Sequence, residues 1–293
     1  MEPIPDFDFE IPNSFVVCGP TASGKSELSD VLAEKLTERL GRHVPTIVVD
    51  SMQVYKELPI ITNQARRRTA DLVGVTSVGE EWSVAAHRAR VAELVSGEDV
   101  FVLDAGTGMY LNAILLDFPL APKVPAELRR RAGEATANAP NPRRATRERE
   151  LEIAGADTRG SVWEGDLRYQ TSMIYLRPPR DVLDAAISRR SRRIARKGLG
   201  EAETLSVMLA RGEKINASVM DSVGVRELLQ HLSGDMTLDQ AEDQIAIRTR
   251  RLARRQMRWF DKLTRTLRGR ASITILEDPN LANVHSMHDI IGA

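Results

Sequence analysis

An eight-residue phosphate loop near the N-terminus constrains this chain more than any other feature. Residues 19–26 read GPTASGKS, which matches the G-x-x-x-x-G-K-S pattern in full. The loop follows the apolar run 14–18 and precedes a helical pattern that begins near Ser26. The motif requires this order, because a strand delivers the chain to the sheet edge and the next helix points its positive N-terminal end at an anion. We therefore expect a bound di- or triphosphate, with Lys25 reaching a terminal phosphate and the Ser26 hydroxyl ligating Mg²⁺.

Short apolar segments rich in β-branched residues alternate with helical patterns over much of the chain. The predicted strands are 14–18, 46–49, 100–103 and 172–176, and the helical patterns between them lie near 26–40, 83–95 and 110–116. This alternation indicates the α/β class, with a parallel sheet flanked by helices as in phosphate-loop NTPases. Such a sheet binds ligands beyond the carboxyl ends of its strands. The phosphate loop, Asp50 and Asp104 all fall at strand ends, so we expect them to meet in one crevice.

The middle and the C-terminal part of the chain differ from this pattern. The segment 117–171 contains five prolines and polar helical stretches near 127–134 and 143–153. We interpret it as a small helical insertion in a core formed by 1–116 and 172–293. The core is expected to be mostly helical from about residue 180. Its further predicted elements are helices near 182–197, 201–210, 218–232 and 237–267, a strand at 272–276 and a weak terminal helix.

Local charge is more informative than net charge, because the 41 Lys and Arg residues equal the 41 Asp and Glu residues. The segment 248–270 contains ten basic residues and a single acid, Asp261. A second basic cluster occupies 189–197. Each cluster is either a solvated helix face or a surface that contacts phosphates.

Cysteine usage and the N-terminal segment bear on the location of the protein. Cys18 is the single cysteine, so no disulfide can form within the chain, and a reducing cytoplasm fits. Because it closes an apolar strand, we expect it to be a small buried residue. The N-terminal MEPIPDFDFEIP is acidic and broken by proline, unlike a signal peptide, and no apolar stretch reaches the length of a membrane span. We therefore expect a cytoplasmic protein without a membrane partner.

A polar segment, DSMQVYK at 50–56, follows the second predicted strand. A carboxylate at a strand end beside a bound diphosphate has two natural roles: Asp50 can hold Mg²⁺, or it can accept a proton from a nucleophile. The side chains of Ser51 and Gln53 could hydrogen-bond the edge of an adenine, because a side-chain amide both donates and accepts. The alternative for these two residues is that they only shape the turn.

A second polar segment, DAGTGMY at 104–110, follows the third predicted strand. Four apolar residues followed by Asp104 resemble the strand that supports Mg²⁺ in nucleoside-triphosphate hydrolases. The alternative is that Asp104 caps a helix that begins near Thr107. Gly106 and Gly108 permit a close approach of the backbone to a ligand.

Five segments form a more specific pattern when they are taken together in chain order. They are GPTASGKS at 19–26, DSMQVYKELPIIT at 50–62, AGTGMYLNAIL at 105–115, SVG at 222–224 and TRRLARRQMRW at 249–259. This pattern resembles the tRNA dimethylallyltransferase family, a group of phosphate-loop prenyltransferases that also includes the adenylate isopentenyltransferases of cytokinin synthesis. The sequence also departs from the family. No lysine follows the ITN triplet at 61–63, the usual P-H-H-L segment is absent near 70–73, Asp104 is unexpected, Val225 replaces a tyrosine, and the inserted region is short.

The resemblance implies a role for each matching residue. The phosphate loop would hold the diphosphate of dimethylallyl diphosphate rather than ATP, through Gly19, Thr21, Ala22, Ser23, Gly24, Lys25, Ser26 and also Arg190. Asp50 would accept the proton of the adenine N6 and act with Thr21 and Arg190 in catalysis. The acceptor would be bound by Ser51, Gln53, Thr107, Tyr110, Arg254, Arg255 and Gln256, and the Mg²⁺ ion would be bound by Ser26 and Asp104. The basic terminal helix and the inserted helices would grip the anticodon stem-loop.

The predicted function is therefore transfer of a dimethylallyl group to N6 of an adenine in the anticodon loop of tRNA, by a monomer that uses Mg²⁺. Two alternatives remain open. The short insertion and the ITN triplet favour a free adenine nucleotide or another small acceptor. Asp104 favours an NTP-dependent kinase or ATPase.

Overall fold

The computed structural model describes residues 12–122, 124–136, 138–140, 142–153, 155 and 161–278. The predicted terminal helix falls almost entirely outside these residues. The chain forms two compact units, one made of Met1–Leu115 with Leu167–Ala293 and one made of Leu116–Asp166. Within the described residues, no helix is both long enough and apolar enough to cross a membrane.

A five-stranded sheet, in the order β2-β3-β1-β4-β5, forms the centre of the first unit. The strands are β1 Ser14–Cys18, β2 Thr46–Val49, β3 Phe101–Ala105, β4 Thr171–Leu176 and β5 Ser272–Leu276, and neighbouring strands pair in parallel. The predicted α/β class and parallel sheet are confirmed. One detail differs: Asp104 lies inside β3, beside Val17 in register, rather than after the strand.

Helices cover the sheet and form most of the C-terminal part, as predicted. In the first unit they are α1 Lys25–Leu40, α2 Val84–Leu94, α3 Gly108–Leu115, α6 Arg180–Lys197, α7 Leu199–Ala210, α8 Ala217–Met220, α9 Val225–Leu232 and α10 Leu238–Thr266. The prediction of one continuous helix over 218–232 is wrong. The chain breaks between α8 and α9 at Gly224, which has φ +100° and passes so close to Ile61 and Ile194 that a β-carbon would lie 2.9 Å from each side chain. Only glycine combines that backbone angle with that proximity.

Two large apolar clusters stabilise the first unit. One joins α1 to the sheet through residues such as Phe15, Val17, Leu32 and Ile174. The other packs the segment after β2 against the C-terminal helices and includes Val54, Tyr55, Ile61, Ile194, Leu228 and Ile245. Cys18 is fully buried, as expected. The second cluster includes residues 54, 55, 58 and 61 and therefore gives the segment that follows β2 a rigid base.

The second unit contains α4 Ala126–Thr136 and α5 Pro142–Ile153. The hydroxyls of Thr136 and Thr146 lie 2.7 Å apart and link the two helices. Glu150 is buried and accepts a hydrogen bond from Arg147 at 2.8 Å, while Ala132 and Leu151 supply apolar contacts. Charged side chains dominate the rest of both helices, so this unit has only a small core of its own.

Candidate active site

The phosphate loop turns between β1 and α1 as the motif requires. Gly24 precedes α1 with φ +87°, and Ala22 also has a positive φ of 67°. This backbone lets α1 begin at Lys25, so the first-turn N–H groups and the positive end of the helix face outward from the sheet edge. A cavity of about 440 Å³ opens there, lined by Ala22, Gly24, Lys25, Ser26, Glu27, Asp30, Asn63, Ala65, Arg66, Arg67 and Arg190. Its lining of cations and helix-terminal N–H groups suits an anion.

Asp50, Lys25 and Gly106 meet at the carboxyl ends of β1, β2 and β3. A β-carbon on Gly106 would lie 2.6 Å from Asp50 Oδ2 and 3.5 Å from Lys25 Nζ. Asp50 Oδ1 accepts hydrogen bonds from the backbone N–H groups of Met52 at 2.8 Å and Gln53 at 3.3 Å. These two bonds fix the carboxylate so that Oδ2 faces the phosphate-loop lysine across a residue without a side chain.

Charge interactions connect Asp50 with Lys25 and Arg190, two of the residues predicted to bind the diphosphate. Burial lowers the pKa of the Lys25 ammonium, and the nearby carboxylates of Asp104 and Asp50 act in the opposite direction. Desolvation likewise lowers the pKa of the half-buried Arg190 guanidinium, again opposed by Asp50. Asp50 is thus within electrostatic reach of both predicted diphosphate ligands.

The predicted acceptor residues Ser51, Gln53, Thr107 and Tyr110 lie beside Asp50. The backbone N–H of Ser51 donates to Thr107 Oγ1 at 3.1 Å, which joins the segments that follow β2 and β3. Gln53 is buried, and its Oε1 makes no hydrogen bond within the described residues. Burial, together with Tyr55 and Asp50, raises the pKa of Tyr110 to about 12. Tyr110 is therefore a neutral phenol at physiological pH.

Sequence reasoning missed an aromatic group behind Tyr110. Trp82 Nε1 donates to His87 Nδ1 at 3.0 Å, and the rings of His87 and Tyr110 are 5.1 Å apart. Burial lowers the pKa of His87 to about 4. The imidazole is therefore neutral at pH 7 and supports the tyrosine from the interior.

Asp104 has a role that neither sequence alternative included. Its Oδ2 accepts a 2.5 Å bond from Arg66 NH1, and the same guanidinium binds Asp30 Oδ1 at 2.7 Å and the carbonyl of Ser26. All three charged side chains are at most 4% exposed. The alternative that Asp104 caps a helix does not hold, because Asp104 lies within β3, α3 begins at Gly108, and the carboxylate binds Arg66. An acid within a buried strand requires a partner, so Asp104 alone signals a buried cation opposite it, although the sequence does not show which cation this is.

Helix α10 closes the site through Gln256. Gln256 Oε1 accepts from the Thr21 backbone N–H at 2.8 Å, and its Nε2 donates to the Gly106 carbonyl at 2.8 Å. One turn further, the Trp259 indole donates to Asn112 Oδ1 at 3.0 Å and covers Gly108, where a β-carbon would overlap the ring. The predicted acceptor residue Gln256 therefore contacts the phosphate loop itself.

The arginines of α10 divide into two groups. Arg248 and Arg250 form ion pairs, with Glu227 and Asp184 respectively. The other five are exposed and make no ion pair with any residue that the structure describes. Arg265 lies near the end of the helix, and the remaining four lie along one face: Arg251, Arg254, Arg255 and Arg258. We call these last four the α10 arginine face. The predicted acceptor residues Arg254 and Arg255 belong to this outer surface rather than to the crevice.

Comparison with known proteins gives a consistent assignment. A model of the family described as IPP transferase matches residues 53–263. A tRNA dimethylallyltransferase of Rubrobacter xylanophilus is 60% identical over 283 residues, which cover 94% of this chain and 97% of that protein. A tRNA dimethylallyltransferase of Thermobifida fusca is 34% identical, with 83% and 85% covered. The crystal structure of the tRNA isopentenylpyrophosphate transferase of Bacillus halodurans superposes with a TM-score of 0.68 at 26% identity and covers 95% of this chain and 94% of that one. The chain therefore belongs to the IPP transferase family, as its sequence resemblance predicted.

Proposed function

We propose that this protein transfers a dimethylallyl group from dimethylallyl diphosphate to N6 of an adenine in the anticodon loop of tRNA. One observation carries the proposal: a fixed carboxylate, Asp50, faces the lysine of an anion-binding loop across Gly106. A proton acceptor beside a diphosphate site is what an alkyl transfer to an amine requires. The relatives named tRNA dimethylallyltransferase match nearly the whole chain at up to 60% identity.

The chemistry is assigned as follows. The adenine N6 attacks the allylic carbon, the bond from that carbon to the diphosphate oxygen breaks, and pyrophosphate leaves with the bonding electrons. The N6 proton passes to Asp50 Oδ2. Lys25 and Arg190 stabilise the charge that develops on the leaving group, and the phosphate-loop N–H groups add further donors. Holding N6 in line with the breaking bond provides much of the remaining acceleration.

Two oxygen-bearing side chains near the phosphate loop, those of Ser26 and Asp104, could serve as ligands of a Mg²⁺ ion. The Ser26 hydroxyl lines the cavity, and Asp104 Oδ1 is buried with no hydrogen bond within the described residues. Mg²⁺ prefers such hard oxygen ligands and takes the remainder from substrate phosphates and water. When bound, the ion would add positive charge to the leaving diphosphate. Asp104 also binds Arg66 through its other oxygen, so Ser26 is the more direct of the two proposed ligands.

The α10 arginine face supports tRNA as the acceptor. Exposed arginines without carboxylate partners suit a phosphate backbone. We propose that the helical insertion, 117–171, contacts the same RNA, and that the enzyme is a cytoplasmic monomer. An adenine of the loop must leave its stack to reach Asp50, and Tyr110, Ser51 and Gln53 would receive it.

Transfer from radiolabelled dimethylallyl diphosphate tests the proposal. The purified protein with Mg²⁺ should label unmodified tRNA whose anticodon loop contains the target adenine, and should not label AMP at matched concentration. A parallel reaction with ATP should release no phosphate. Labelling of AMP alone would establish the small-acceptor alternative, and release of phosphate from ATP would establish the kinase or ATPase alternative.

A further inference from the structure

Gln256 occupies a core-facing position of α10, where an apolar residue would ordinarily pack. Buried positions of this helix include 245, 249, 253, 260 and 263. They are three or four residues apart except between 253 and 260, and position 256 fills that gap with the same spacing. A polar side chain on such a stripe is unfavourable unless both of its polar atoms are satisfied. The protein satisfies both, and the two partners belong to loops of the candidate active site.

The two hydrogen bonds of Gln256 join the loops that would hold the two substrates. Thr21, which donates to Oε1, lies in the phosphate loop, and Gly106, which accepts from Nε2, lies beside Asp50. The partners are 235 and 150 residues away in the sequence. The pairing of β1 with β3 brings the two loops side by side, with Cys18 opposite Ala105. Beyond the strand ends, Gln256 is the one side chain among the described residues that hydrogen-bonds the main chain of both loops.

The helix that carries Gln256 also carries the α10 arginine face. Arg255 is the adjacent residue, and Arg254 and Arg258 lie within one turn. Beyond them, Tyr175 of β4 donates to Asp261 at 3.0 Å and ties the helix to the sheet, and Trp259 donates to Asn112 and ties it to α3. A helix is stiff along its axis, so a shift of the arginine face also moves the amide of Gln256.

We propose that Gln256 is a positioning residue that couples RNA binding on the α10 arginine face to the shape of the diphosphate site. This inference rests on the proposed function, because it takes RNA as the ligand of the arginine face. RNA that engages the arginines holds α10 in place, and Gln256 then fixes the Thr21 peptide and the Gly106 carbonyl around the diphosphate. Linkage requires the effect to be reciprocal: bound diphosphate must tighten RNA binding by the same factor.

The substitution Gln256→Met tests the coupling with little change in side-chain size. The probes are inorganic pyrophosphate with Mg²⁺ and an RNA stem-loop that contains the target adenine, with affinities measured by calorimetry. In the wild type, the stem-loop should tighten pyrophosphate binding by at least about fivefold. In Gln256→Met, the ratio of the pyrophosphate affinities measured with and without the stem-loop should fall to less than about twofold. Gln244→Met, at an exposed position of the same helix, is the matched control and should keep the full effect.

Gln256→Asn provides a second variant, because it keeps an amide but is one methylene too short to reach both partners. It should behave as the methionine variant does. Coupling that survives in both variants would overturn the inference while leaving the proposed function intact. A wild-type protein that neither binds the stem-loop nor transfers a prenyl group to it would instead refute the proposed function, and the inference with it. Loss of kcat without a change in coupling would also contradict the inference.

Discussion

Replacement of Asp50 by Asn separates proton transfer from diphosphate binding. The amide oxygen of asparagine can still accept the hydrogen bonds that Asp50 Oδ1 receives from the N–H groups of Met52 and Gln53. The local turn should therefore survive. What disappears is the negative charge on Oδ2 and its capacity to take up a proton, because an amide NH₂ group is a donor and has no basic oxygen at that position.

The structure sets the expected magnitudes. A positioned general base typically contributes about 10²- to 10⁴-fold to a rate, so kcat should fall by that factor. Asp50 Oδ2 and Lys25 Nζ lie at most about 6 Å apart, from their distances to the β-carbon position of Gly106. At an effective dielectric constant of about 20, a pair of unit charges at that distance interacts by about 3 kcal/mol. Removing the negative charge leaves Lys25 freer to bind an anion, so pyrophosphate should bind at least as tightly as in the wild type, and the interaction of about 3 kcal/mol limits the gain to about 10²-fold.

Two measurements on Asp50→Asn test whether Asp50 is the proton acceptor. Single-turnover transfer to tRNA gives the chemical rate, and calorimetry with pyrophosphate and Mg²⁺ gives the affinity. Asp50→Ala is the comparison that also removes the turn hydrogen bonds, and it should lose stability as well as rate. If Asp50→Asn loses pyrophosphate binding and keeps its transfer rate, Asp50 is a structural or metal-binding residue and the assignment of the proton acceptor is refuted.

Three further predictions rest on separate parts of the molecule. Gly106→Ala should lower kcat by about 10²-fold in steady-state assays, because its β-carbon would displace Asp50 Oδ2 from a 2.6 Å approach; an unchanged kcat would contradict the close contact. Burial lowers the pKa of His87 to about 4, so on acidification the unfolded chain, with an ordinary pKa near 6.5, binds the proton first and stability falls by about 2 kcal/mol between pH 7 and 4.5. Urea unfolding should therefore show that the free energy of unfolding of His87→Gln falls between pH 7 and 4.5 by about 2 kcal/mol less than that of the wild type. An equal fall in both proteins would exclude His87 as its source. Charge reversal at Arg254, Arg255 and Arg258 of the α10 arginine face should weaken tRNA binding and reduce the dependence of its affinity on salt concentration. Unchanged binding at every salt concentration would show that this surface does not contact the RNA.

The phosphate loop and the sheet were predictable because each depends on residues that are close in the sequence. The order strand, loop, helix is contained in positions 14–40, and the alternation of apolar segments extends it to the whole sheet. The position of Asp50 followed from the same logic, since strands of a parallel sheet end at one edge. The break at Gly224 was missed because the helical pattern continues through it, and only the proximity of Ile61 and Ile194 requires the glycine there.

The parts of the site that could not be predicted are contacts between distant segments. Arg66 appeared only as one of three consecutive arginines, and nothing local distinguishes the buried member of that run from the exposed Arg67. Gln256 resembled a family position that binds the acceptor, yet its contacts with Thr21 and Gly106 depend on where α10 crosses the sheet edge. Both are side chains whose partners are fixed by packing, and packing at that scale leaves no periodic signal in the sequence.

Ion pairing among the buried charges leaves the cavity at the phosphate loop with fewer cations free to bind an anion than its lining residues suggest. Arg66 is bound by Asp30 and Asp104, while Lys25 lies within electrostatic reach of Asp104 and Asp50. Charges in such an interior must be balanced locally, because an unpaired buried ion is strongly destabilising. The resting site is thus close to neutral, and a diphosphate brings several negative charges into it. Arg190 and the N-terminal turn of α1 compensate part of the negative charge of the diphosphate. Because part of that charge remains uncompensated, we expect the diphosphate to bind together with a divalent cation.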